Sequence, residues 1–103
     1  MSEAGRDADP ASPARGAALP APTFAFLVTN LATQALMALG EAPNPVTKAT
    51  EFSAERAKFA IDLLDVLRVK TEGRLEDSER RFLEGALYEL RMKYVRKIRQ
   101  PDA

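Results

Sequence analysis

The chain has 103 residues, with 15 basic and 15 acidic side chains and no Cys, His or Trp. That length fits one small domain. Lacking Cys and His, it has no disulfide, no ordinary zinc, copper or haem site, and neither the commonest acid–base catalyst nor a cysteine nucleophile; its zero net charge gives no global attraction to nucleic acid or an anionic membrane.

Residues 1–22 form the first segment. Eleven of these 22 are Ala or Pro, and the only large apolar side chains are Met1 and Leu19. Such a segment buries too little surface to offset its chain entropy, so a disordered tail is expected. Pro10, Pro13, Pro20 and Pro22 interrupt any helix the alanines start. Pro10 and Pro13 have a P-x-x-P spacing, too weak by itself to name a ligand. Glu3, Asp7 and Asp9 outnumber Arg6 and Arg15, unlike the basic start of a signal peptide.

Residues 23–100 read as a single helical domain. The first helix is expected over Thr23 to Leu39, with Thr23 as N-cap, Gly40 as the stop, and Pro43 and Pro45 beyond. Phe24, Leu27, Val28, Leu31, Ala35, Ala38 and Leu39 recur at helical spacing. The opposite face holds Phe26 and Met37 with Asn30, Thr33 and Gln34. No charge occurs from Gly16 to Gly40. A surface helix normally carries charge toward solvent, so this one is expected to be covered all round or lodged in lipid. Against a membrane span stand its shortness, its polar amides and the lack of basic flanks.

The second helix is expected from about Glu51 to Glu72, with Gly73 just past its end. Glu55, Lys58, Asp62, Asp65 and Glu72 share one arc at about 100° per residue. Phe52, Phe59, Ala60, Leu63, Leu64, Val66 and Leu67 share the other. Asp62 and Asp65 lie three apart on one face, with Glu55 one to two turns earlier, a spacing at which paired carboxylates share a proton or hold Mg²⁺. Their arc also holds Lys58 and Arg68, which favours ordinary surface ion pairs.

The third helix is expected over Asp77 to Arg99, with Glu79 at its positive end and Pro101 beyond it. Leu83, Leu87, Leu90 and Tyr94 step by four, three and four, a coiled-coil-like seam. Gly85, Tyr88, Met92 and Val95 form a second seam on nearly the opposite side. No sustained period-two alternation occurs, so no strand is expected.

Three such helices cover one stripe on each other. They do not also cover Phe26 and Met37, or Gly85, Tyr88, Met92 and Val95. Leaving large apolar groups in water forfeits roughly 1.5–3 kcal/mol each. A homodimer that buries these six positions is the expected answer. The zero net charge is also unevenly distributed. Residues 41–79 have six basic against nine acidic side chains, and residues 80–103 have seven against three. Arg91, Lys93, Arg96, Lys97 and Arg99 form a run able to contact an anion such as a phosphate backbone. The same run also complements the negative end of its own helix dipole, and no aromatic platform accompanies it.

Several stretches together resemble a small bacterial family, domain of unknown function 1844. They are Leu39-Gly40-Glu41 with Pro43-Asn44-Pro45, Ile61-Asp62-Leu63-Leu64, Lys70-Thr71-Glu72-Gly73, and Leu87-Tyr88-Glu89-Leu90-Arg91-Met92 with Tyr94-Val95. The family pattern continues with Asn where Arg74 stands here. The resemblance spans roughly Phe24 to Val95. It implies a bacterial, cytoplasmic helical protein with no established activity, hence no catalytic residues to carry over. The reading is therefore an all-α protein, a helical hairpin plus a long C-terminal helix with a disordered tail. It is expected to be non-enzymatic, to need no cofactor or metal, and to act as a self-associating interaction module. Accessory binding to nucleic acid through the basic run, and membrane association through the uncharged first helix, are the alternatives.

Overall fold

A computed structural model describes residues 19–100. Most of the tail, residues 1–18, lies outside them. Three helices follow in order: α1 (Phe24–Ala38), α2 (Ala54–Lys70) and α3 (Asp77–Arg99). Each touches the other two. No strand occurs among the described residues, only an isolated antiparallel bridge between Leu39 and Phe52.

The ends of α1 follow from its sequence. The Thr23 hydroxyl accepts a hydrogen bond from the Phe26 N–H at 3.0 Å, satisfying an otherwise orphan donor. At the other end Gly40 adopts φ +77°. Its N–H donates to the Met37 carbonyl at 3.1 Å, and the Glu41 N–H reaches back to Leu36 at 2.9 Å. This is the Schellman arrangement, which needs a left-handed residue that glycine supplies without steric cost.

The second helix is shorter than its pattern suggests. Phe52 lies in the bridge to Leu39, and the Ser53 N–H donates to the Ala38 carbonyl at 2.8 Å. The helix therefore starts only after Ser53, whose hydroxyl accepts from the Arg56 N–H at 3.3 Å as the N-cap. The helix stops at Thr71, whose hydroxyl donates to the Leu67 carbonyl at 2.8 Å. Gly73 lies one position later than a C′ residue. It closes the next turn at φ +78°, with the Arg74 N–H donating to Thr71 at 2.9 Å. That turn is held by backbone, so the Asn-to-Arg departure at position 74 leaves the bond intact. The third helix spans the expected residues, and the Glu79 carboxylate accepts from the Glu76 N–H at 3.0 Å.

The core is wholly apolar. Val28, Ala35 and Leu39 meet Ala57, Ala60, Ile61 and Leu64 of α2, and Leu83, Leu87 and Leu90 of α3. The inner seam of α3 is thus the one its spacing foretells, with Tyr94 packed at its edge. The face of α2 is a correction. Phe59 is 66% exposed and Val66 is 54% exposed, while Ala57 and Ile61 point inward. Ala35, Ala57 and Ala60 are all buried in this core, so small side chains fill much of the α1–α2 contact.

Candidate interaction surface

The outward seam of α3 stands clear of the bundle. Tyr88 is 64% exposed, and Met92, Val95 and Ile98 are also exposed. Leu87 and Leu90, interleaved with the seam that starts at Gly85, are buried. The helix therefore has two apolar faces, and the fold uses one. Gly85 opens the seam, and a side chain built there would meet nothing within 4 Å. Glycine inside a helix costs about 1 kcal/mol relative to alanine; here it leaves a flat place on the surface.

Phe26 and Met37 do not join this seam. They lie on α1, eleven residues apart and so on nearly one side of that helix. Phe26 is exposed, as is Leu27. Met37 is half-buried in a groove of about 310 Å³ that it lines with Gln34, Arg56 and Phe59. The polar back of α1 faces outward rather than being covered: Thr29, Asn30, Thr33 and Gln34 are exposed. No helix among the described residues is long and apolar enough to cross a membrane.

The basic run of α3 is largely occupied within the chain. Arg91 donates to Asp65 at 2.9 Å. Lys93 and Lys97 flank Glu41 at 3.8 and 3.9 Å, tying the end of α1 to the end of α3. Arg96 and Arg99 make no ion pair among the described residues. Asp62 and Asp65 are likewise not joined. Asp62 takes the Lys58 ammonium at 2.8 Å, and Asp65 takes Arg68 at 3.0 Å together with Arg91. Among the described residues no three acidic groups converge as a metal site would require.

These pairs have a pH signature. Hydrogen bonds from Arg68 first, and Arg91 second, hold the Asp65 carboxyl below its ordinary value of 3.8. Arg80 and Arg81 do the same for Asp77. A depressed folded pKa stabilises the fold above the unfolded value, and the effect disappears as pH falls through the folded one. Both acids therefore lose their contribution progressively as pH falls below about 3.8 toward their lower folded values. A chain carrying Asp65→Asn and Asp77→Asn should lose less melting temperature than the native chain between about pH 5 and pH 2. Equal losses in parallel thermal scans would refute this assignment.

Two surface features escape sequence reasoning. One is the Phe59 and Val66 stripe on α2. The other is the 40–53 connection, where the Asn44 side chain accepts from the Val46 and Thr47 N–H groups at 2.7 and 3.2 Å. Asn between two prolines is a turn signal, although it does not say that the turn presents Val46 to solvent. A family model described as a domain of unknown function, DUF1844, matches residues 21–96. No curated protein and no solved structure matches the chain.

Proposed function

We propose that this chain, which belongs to the DUF1844 family of unknown function, is a non-enzymatic interaction module that pairs with a second copy of itself through the outward face of α3. The observation that carries the proposal is the exposure of Tyr88, Met92 and Val95 on one helical line beside a core that is complete without them. Covering their exposed apolar area yields roughly 25 cal/mol per Å². A self-complementary dimer covers a set of them on both copies at once.

The chemistry of the side chains agrees with a non-catalytic role. Asp62 and Asp65 neutralise neighbouring cations instead of facing a common centre. The Ser53 hydroxyl is engaged as a helix cap. Accessory nucleic-acid binding is the weaker reading, because Arg91, Lys93 and Lys97 already face acids of their own chain.

Light scattering on the eluting protein tests the proposal. The expected mass is twice the 11.3 kDa of one chain, and it should hold as salt rises, since an apolar contact lacks the steep salt dependence of phosphate binding. A single-chain mass at all concentrations would overturn the proposal. So would tight, salt-sensitive binding of an oligonucleotide by a monomer.

A further inference from the structure

We infer that the two copies of α3 pack antiparallel, about a two-fold axis at Met92, with Glu89 of each copy against the partner's Arg96. This rests on the self-association proposed above and adds its orientation and partner residues. Helix positions seven apart return to nearly the same side, within about 20°. Gly85, Met92 and Arg99 therefore form the centre line of the outward face. Tyr88 and Val95, also seven apart, form one edge. Glu89 and Arg96, seven apart again, form the other.

A two-fold axis perpendicular to the helix at Met92 reverses chain direction but keeps each edge against itself. Tyr88, four residues before the axis, then meets the partner's Val95, three residues after it. Glu89, three before, meets the partner's Arg96, four after. Gly85 lies opposite the partner's Arg99, where the missing side chain leaves room for the long one. Each contact occurs twice. A parallel pair does the reverse. It sets the charged edge of one copy against the apolar edge of the other and brings the Arg96 and Arg99 ends together as like charges. Glu89 and Arg96 are both exposed and make no ion pair among the described residues. Such pairs decide orientation more than they add affinity.

The native chain has no Cys, so single cysteines report contacts cleanly. Under mild oxidation, a Tyr88→Cys chain mixed with a Val95→Cys chain should give a disulfide-linked dimer, and neither alone should do so efficiently. Glu89→Arg and Arg96→Glu should each weaken the dimer about tenfold, and mixing the two variants should recover native affinity. A dimeric protein in which Gly85→Cys alone cross-links and the Tyr88/Val95 mixture does not would overturn the antiparallel arrangement while sparing self-association. A monomeric native chain would overturn both.

Discussion

Leu64→Ala is expected to lower unfolding free energy by about 2–5 kcal/mol, whereas Phe59→Ala five residues earlier should cost less than about 1 kcal/mol. Leu64 is fully buried in the core cluster to which all three helices contribute, so its loss removes transfer energy and leaves a cavity. Small domains have about 5–15 kcal/mol in total. The loss converts to a fall in melting temperature of roughly 10–30 °C. Phe59 is the larger side chain, but most of it is in water already. If Phe59→Ala proved the more damaging substitution in denaturant titrations, α2 would be rotated from the orientation described.

Met92→Glu is expected to separate the dimer into monomers that remain helical. The substitution sets a carboxylate, and its copy across the two-fold axis, in the centre of the contact. Burying an unpaired charge costs several kcal/mol, and a like charge beside it adds to that cost. Since Met92 is 39% exposed within one chain, the monomer itself should keep its fold. Binding between copies also stabilises the folded state by mass action. The native melting temperature should therefore rise with protein concentration, and that of Met92→Glu should not. A native melting point independent of concentration would remove the seam from any interface.

The ends of α1 and the inner face of α3 were legible because they depend on local chemistry. Thr23 and Gly40 act within one turn of α1, and four regularly spaced apolar residues fix the inner side of α3. The orientation of α2 was not legible. Its apolar residues cover more than half of the helix surface, so the charged arc alone does not choose among them. Packing chooses, and it places Ala57 and Ala60 inward. Ranking residues by size points instead to Phe59 and Val66, which lie outside. The start of α2 was hidden for a related reason: Phe52 pairs with Leu39, thirteen residues earlier, and no local signal announces a bridge of that span. The ties from Glu41 to Lys93 and Lys97 are equally non-local, so the basic run looked more open in sequence than it is in the fold.

The outward seam of α3 was visible as a pattern and is exposed in the fold, which makes its cover the central claim. An isotope-filtered nuclear Overhauser experiment on a mixture of labelled and unlabelled chains addresses it most directly. Cross-peaks are expected between the Tyr88 ring of one chain and Val95 methyl groups of the other. A dimer whose intermolecular cross-peaks fall instead on Phe59 and Val66, or on Phe26, would contradict it.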